Sequence, residues 1–186
     1  MALGRRNPLI ALLLVLIGSA GVIFSLNGCS DTGSGTGGAP EGLVRLDIKD
    51  DAGKVHTFFV EPVLDGKSRF KGLSDRTHID DDGGMIFVFP NTAVRKFVMR
   101  DCPIDMDIVY IDSGGRVIAK HAMKSEEPQR EDESDADYET RLKKYSSRFA
   151  TDVVIELQAG TLERLGVEEG EVIKVYGMDD LKKRAK

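Results

Sequence analysis

The segment DIVYIDSGGRVIA, residues 107 to 119, carries the clearest indication of the fold. Two extended runs, Asp107 to Ile111 and Arg116 to Ala119, flank Asp112-Ser113-Gly114-Gly115. Asp, Ser and Gly favour tight turns, because Asp and Ser side chains bond the nearby backbone and Gly permits positive φ angles. The segment therefore predicts two strands joined by a turn, a β-hairpin.

A second hairpin is predicted upstream of this one. Val44, Leu46 and Ile48 alternate with polar residues, which is the period-two pattern of a half-buried strand. Turn residues follow at positions 50 to 53, and residues 55 to 60 return as the partner strand.

The rest of the body consists of short apolar runs with little helix. Helical turns are expected at residues 66 to 74 and 161 to 165, and the apolar run that begins at residue 85 is expected to end at Pro90. About six to eight short strands with one or two short helices imply a mainly β fold, either a compact antiparallel β-sandwich or a partly open barrel. These later strands are expected at residues 85 to 89, 97 to 99, 107 to 111, 116 to 119, 153 to 157 and 172 to 176.

An acidic insertion interrupts the strands at about residues 126 to 146. Its first part is crowded with carboxylates and should be solvated and irregular. Ser134 can cap a helix, and Tyr138, Leu142 and Tyr145 follow at spacings of four and three. We predict an amphipathic helix in the second half of the insertion.

The N-terminus is typical of an export signal. Arg5 and Arg6 precede an uncharged apolar run from Leu9 to Leu26, and Gly28-Cys29 follows. Cleavage before a cysteine resembles the bacterial lipobox, so residues 1 to 28 are predicted to be a lipoprotein signal peptide and Cys29 the lipid attachment site. The alternative is an uncleaved membrane helix, since 18 apolar residues lie at the lower limit for spanning a bilayer.

Either alternative places the body on the extracytoplasmic face of a bacterial membrane and leaves open which membrane that is. Residues 29 to 42 are rich in Gly, Ser and Thr and are predicted to be a flexible tether. Residues 43 to 178 form the single β domain of this interpretation. The basic tail, residues 179 to 186, is expected to be a frayed helix end.

The charge of the body argues against nucleic acid as a partner. The chain has 26 basic and 31 acidic side chains, and only Arg5 and Arg6 precede Cys29, so the remainder has 24 basic and 31 acidic side chains, a net charge of −7. Binding to a phosphate backbone depends on clustered Lys and Arg. With Cys29 lipidated, Cys102 has no disulfide partner, and no cofactor motif is present in the sequence.

Four motifs in order resemble the family called domain of unknown function 192: RFKGLSDR at 69 to 76, GGMIFVF at 83 to 89, FVMRDCPIDMDIVYID at 97 to 112 and VIELQAG at 154 to 160. The resemblance implies a compact, mainly antiparallel β domain, often exported, with no established activity. The positions that match the family pattern are Gly72, Leu73, Arg76, Gly84, Met85, Phe87, Phe97, Met99, Asp107, Glu156 and Gly160.

Five positions depart from that pattern. Ser74 stands where the family usually has Met, and Val98 where it has Trp. Asp101, Cys102 and Asp105 stand where it has Asn, Thr and Pro.

Asp107 begins an apolar strand, so its carboxylate needs a partner, and Arg76 is the best candidate. Together with Arg100, Asp101 and Glu156, these residues could form either a polar ligand pocket or a structural ion-pair network.

Two further constellations involve the free thiol. Cys102, His121 and an acid such as Asp107 are the ingredients of a thiol-dependent or hydrolytic enzyme. Sulfur and imidazole groups that suit Cu(I) occur in two neighbouring segments, at Met99, Cys102, Met106, His121 and Met123. The sequence favours a lipid-anchored binding or structural module of the cell envelope, with an envelope protein or a small molecule as partner; a soft-metal binder and such an enzyme are the alternatives.

Overall fold

A computed structural model of the chain describes residues 37 to 186. The predicted signal peptide, Cys29 and most of the tether lie outside the described residues. Within the described part of the chain, no helix is long and apolar enough to cross a membrane.

Seven strands form one curled sheet, a half-barrel in the order β5-β4-β6-β3-β2-β1-β7. Neighbouring strands are antiparallel except β2 and β3, which are parallel over Glu61 to Val63. The strands are β1 Val44–Lys49, β2 Val55–Val63, β3 Met85–Phe97, β4 Met106–Ile111, β5 Val117–Met123, β6 Tyr145–Gln158 and β7 Lys174–Val175.

The hairpin at residues 107 to 119 forms as the sequence predicts. The Asp112 carboxylate accepts hydrogen bonds from the amides of Gly114 at 2.8 Å and Arg116 at 2.9 Å, which fixes the turn between β4 and β5. Gly115 then meets the segment before β7, because the amide of Ile173 donates to its carbonyl at 2.9 Å. This contact connects the segments that precede β5 and β7, the two end strands of the sheet order.

Four short helices accompany the sheet, where the sequence predicted one or two: α1 Gly66–Lys71, α2 Asp135–Arg141, α3 Thr161–Arg164 and α4 Met178–Arg184. Asp65 caps α1 by accepting from the amides of Lys67 at 3.0 Å and Ser68 at 3.1 Å. The C-terminal basic segment belongs to α4, whose Leu181 packs into the core.

Side chains alternate between the two faces of the sheet along each strand, and a hydrophobic core covers each face. The first core contains Val109 of β4 and Ile155 of β6 and is also covered by Leu162 of α3. The second core contains Ile108 of β4 and Val154 of β6.

The mainly β class is confirmed, and the architecture is the partly open barrel of the two alternatives. Two local boundaries differ from the prediction. β3 continues beyond Pro90, because a register shift between Val88 and Ala93 accommodates the missing amide. The helix of the insertion stops at Arg141, and Tyr145, expected on that helix, begins β6.

Candidate functional site

Glu156 is a buried carboxylic acid in the middle of the sheet. It lies on β6 between Met85 of β3 and Ile108 of β4, with a relative exposure of 5%. No group within residues 37 to 186 donates a hydrogen bond to its carboxyl, and burial alone raises its pKa to about 8. A buried carboxyl without a partner carries a large desolvation cost, so this side chain needs an explanation.

The carboxyl of Glu156 borders a cavity of about 370 Å³ between the second-core face of the sheet and α1. This volume falls within the range of small-molecule sites. The side of the cavity is formed by β3 and by the segment 98 to 102 that follows it. The lining residues are Gly66, Arg69, Phe70, Lys71, Gly72, Leu73, Ser74, Phe87, Phe89, Lys96, Phe97, Val98, Arg100, Cys102 and Glu156.

Aromatic rings make the wall of the cavity apolar and rigid. Phe87 and Phe97 pack edge to face with ring centroids 5.0 Å apart, and Phe89 meets Phe97 at 6.5 Å. Phe87 precedes the register shifts of β3 and Phe97 follows them, so both parts of this long strand border the cavity. Sequence reasoning named Phe87 and Phe97 only as family matches and did not place them at a site.

The loop that carries Cys102 is held in place by hydrogen bonds. The Ser74 hydroxyl donates to the carbonyl of Arg100 at 2.9 Å, and the Asp75 amide donates to the carbonyl of Asp101 at 2.7 Å. Asp75 and Asp101 both have positive φ angles, 65° and 52°, which cost of order 1 kcal/mol each in residues other than glycine. Tyr138 of α2 donates to the Asp101 carboxylate at 3.1 Å, so the acidic insertion braces this loop.

Cys102 is poorly suited to nucleophilic chemistry in this position. Its thiol donates to the carbonyl of Arg100 at 3.3 Å. Burial, and next the nearby charge of Glu156, raise the pKa of Cys102 to about 11, whereas catalytic thiols have lowered pKa values. His121, the proposed base, lies with its Nε2 2.8 Å from the Ser146 carbonyl and borders a different cavity. The Cys102–His121 pair expected from the sequence is therefore not assembled.

The predicted partnership between Arg76 and Asp107 is wrong. Arg76 pairs with Glu61 at 2.8 Å, near the surface. Asp107 accepts from the amide of Leu162 at 2.8 Å, at the start of α3. Burial raises the pKa of Asp107, and the nearby backbone amides oppose that rise.

The five residues proposed as one pocket or network separate into different environments. Alternation along β4 and β6 turns Asp107 toward the first core and Glu156 toward the second. Arg100 pairs with Glu139 of α2 and borders the Glu156 cavity, and Asp101 bonds Tyr138. Of the five, only Arg100 and Glu156 border the same cavity.

Four of the five candidate soft-metal residues lie in the second core. Met99, Met106 and Met123 are almost fully buried in the second core, where their side chains pack with apolar neighbours, and Cys102 lies at the edge of the same core. His121 is half-buried and bonded to the backbone. Among the residues that the structure describes, no three His, Cys, Asp or Glu side chains form a group that could hold a metal.

These features define a small mainly β domain with a cavity against one face of its curled sheet. The chain belongs to the domain of unknown function 192 family, described as Uncharacterized ACR, whose family model matches residues 48 to 175. No curated protein matches the chain.

Two solved structures have a similar fold. One is a proposed transcription regulator from Sinorhizobium meliloti 1021, 28% identical, with a TM-score of 0.59 over 72% of this chain and 93% of that chain. The other is a protein of unknown function from Novosphingobium aromaticivorans, 25% identical, with a TM-score of 0.58 over 71% of this chain and 84% of that chain.

The family motifs, which are separate in the sequence, meet at the cavity. Five family-matching residues border it, and so do three of the five departures. Two of these departures, Ser74 and Val98, are smaller than the Met and Trp usual in the family, so they leave more room in the cavity. The matching residues are Gly72, Leu73, Phe87, Phe97 and Glu156, and the third departure is Cys102.

Proposed function

We propose that this chain is a lipid-anchored, extracytoplasmic domain that binds a small molecule in the Glu156 cavity. The observation that carries the proposal is the Glu156 carboxyl, which is buried, borders the cavity and has no hydrogen-bond partner among residues 37 to 186. A bound molecule with a complementary polar group would supply that partner.

The shape and composition of the cavity support ligand binding over a purely structural role. A structural acid would be expected to find its partner within the fold, as Asp107 does at Leu162. The cavity instead combines an apolar aromatic wall with several polar side chains, of which Glu156 is the one buried acid, and a few polar groups among apolar ones are usual in a small-molecule site. The transcriptional role in the name of the Sinorhizobium protein is said of that protein, and the acidic body of this chain does not favour it.

Binding can be tested by filling the cavity. Val98→Trp places a large ring at its wall, and Val55→Trp, at an exposed position of β2 that does not border this cavity, is the matched control. The chain in lipid nanodiscs is titrated with 2-(2-naphthyl)ethanol, a neutral aromatic alcohol, and probe fluorescence is recorded. We expect saturable binding to the wild type and the control, and at least about tenfold weaker binding to Val98→Trp. Equal binding by all three proteins would contradict the proposed site.

The proposed location rests on the sequence around Cys29. Intact mass spectrometry of the membrane-purified chain should find a polypeptide that begins at residue 29 with added acyl mass, and Cys29→Ala should leave an uncleaved chain. An unmodified cysteine at position 29 in a chain that still fractionates with membranes would favour the uncleaved membrane helix.

A further inference from the structure

The Glu156 cavity is surrounded by positive charge although the chain as a whole is acidic. Four basic residues border it, against Glu156 as the one acidic residue. Lys71 pairs with Asp75, and Arg100 pairs with Glu139. Arg69 and Lys96 form no ion pair with the described part of the chain. The Arg69 guanidinium donates to the carbonyl of Val88 at 2.9 Å and to a main-chain oxygen of Lys186. Lys96 is therefore the cation of the lining that has no partner among the described residues, and it favours a negatively charged ligand.

The polar groups of the cavity differ in depth. Lys96 is exposed and Phe70 is 70% exposed, so these residues form the rim. Phe87 is buried beside the sheet, and Glu156, with 5% exposure, lies at the inner end. A ligand would therefore meet Lys96 and the Phe70 ring first, then the buried aromatic rings, and finally the carboxyl.

The inner end of the cavity is uncharged near neutral pH. The titratable groups near Glu156 are Cys102, from the loop after β3, and Tyr110, from β4. Burial raises the pKa of both, so both stay protonated. Because burial also raises the pKa of Glu156 to about 8, its carboxyl is mostly protonated and can donate an O–H hydrogen bond.

We propose that the ligand is an amphipathic organic anion, whose acidic group lies at the rim near Lys96 and whose apolar body lies against the phenylalanine rings. An uncharged oxygen at the inner end of the ligand, a carbonyl or a hydroxyl, accepts the hydrogen bond from Glu156. This ligand class rests on the proposed function of the cavity.

A cationic amine fits the same cavity less well. It would have to pass the positive rim and form a buried ion pair with Glu156, whose desolvation cost can exceed the Coulomb gain. Cation–π contacts at the rim are also occupied, since the guanidinium of Arg100 lies 4.1 Å from the Phe70 ring centre and that of Arg69 lies 4.9 Å from the centre of Phe89.

A matched series of probes tests the preferred charge. 2-Naphthylacetate, 2-(2-naphthyl)ethanol and 2-(2-naphthyl)ethylamine share one aromatic body and carry a negative, neutral and positive group at neutral pH. We expect the anion to bind about five- to tenfold more tightly than the alcohol, and the amine to bind most weakly.

Two variants and a matched control connect that preference to the cavity. Lys96→Gln removes a rim cation and should weaken binding of the anion about threefold without changing binding of the alcohol. Lys67→Gln, on α1 but outside the lining, is the matched control and should change neither. Above pH 8 the wild type should lose affinity for the anion as Glu156 ionises, and Glu156→Gln should lose this pH dependence.

The outcomes distinguish the two proposals. Tightest binding of the amine, or no effect of Lys96→Gln on the anion, would overturn the ligand class while leaving the cavity as a binding site. Failure of the alcohol and the anion alike to bind would overturn the binding function itself.

Discussion

Asp107 and Glu156 lie on the neighbouring strands β4 and β6 and face opposite sides of the same sheet. Both are buried, with exposures of 3% and 5%, and burial raises the pKa of both. Asp107 accepts a hydrogen bond from the backbone at the start of α3, whereas Glu156 faces a cavity. The comparison teaches that the partner of a buried acid, more than its burial, indicates its role.

The pH dependence of stability separates the two acids most strongly. The pKa of Glu156 is about 8 in the folded chain against an ordinary value of 4.5, so the folded state holds a proton that the unfolded state releases. Its contribution is therefore fully present below pH 4.5 and is lost as the pH rises through about 8, roughly 1.4 kcal/mol per pH unit across this window. We expect Glu156→Gln to gain on the order of 5 kcal/mol relative to the wild type between these limits.

Urea unfolding of both proteins at several pH values between 4.5 and 8.5 measures that difference. Glu61→Gln is the matched control, because Glu61 is about half exposed and paired at the surface with Arg76. Parallel stability curves for the wild type and Glu156→Gln would contradict the elevated pKa of Glu156.

Substitution of Asp107 should lower the free energy of unfolding even at constant pH. Asp107→Ala removes the acceptor of the Leu162 amide and leaves a buried donor unpaired, which costs about 2 to 3 kcal/mol. Asp107→Asn keeps an acceptor of nearly the same shape and should cost less. Neither variant should change binding of the naphthyl probes, since Asp107 does not border the Glu156 cavity.

Arg76→Ala provides the comparison for this prediction. The Arg76–Glu61 pair is about half exposed, so its loss should cost at most about 0.5 kcal/mol. Because Arg76 and Asp107 have different partners, the free energies of the two substitutions should add in the double variant. A coupling free energy above about 1 kcal/mol would support the direct pairing of Arg76 with Asp107 that the sequence suggested.

Local patterns predicted the parts of the fold that depend on local interactions. The β4–β5 hairpin and the start of α1 form as expected because Asp112 and Asp65 bond backbone amides a few residues away. The course of β3 beyond Pro90 depends on pairing with β6, which is distant in sequence, so the local proline signal was misleading. The same holds for Tyr145, which sheet pairing places on β6 although its spacing suited a helix.

The candidate site could be predicted only in part for the same reason. Glu156 was identifiable as a carboxylate within an apolar strand, and the family motifs contained Phe87 and Phe97. Alternation also places Asp107 on one face of β4, but the sequence does not say which side of the sheet receives α1 and which receives α3. The partners of Asp107 and Glu156 therefore required the tertiary structure.

The reactivity of the Cys102 thiol tests the difference between Asp107 and Glu156 with the smallest expected effect. The negative charge of Glu156 contributes to the raised pKa of Cys102, whereas Asp107 is not among its causes. At pH 9 Glu156→Gln should therefore speed alkylation of Cys102 by iodoacetamide by about threefold, because a lower pKa gives more thiolate, and Asp107→Asn should leave the rate unchanged. Peptide mass spectrometry resolves position 102 from position 29, and urea-unfolded chain supplies the unperturbed rate. Equal acceleration by both substitutions would mean that loosening of the fold, and not the charge facing the cavity, controls this thiol.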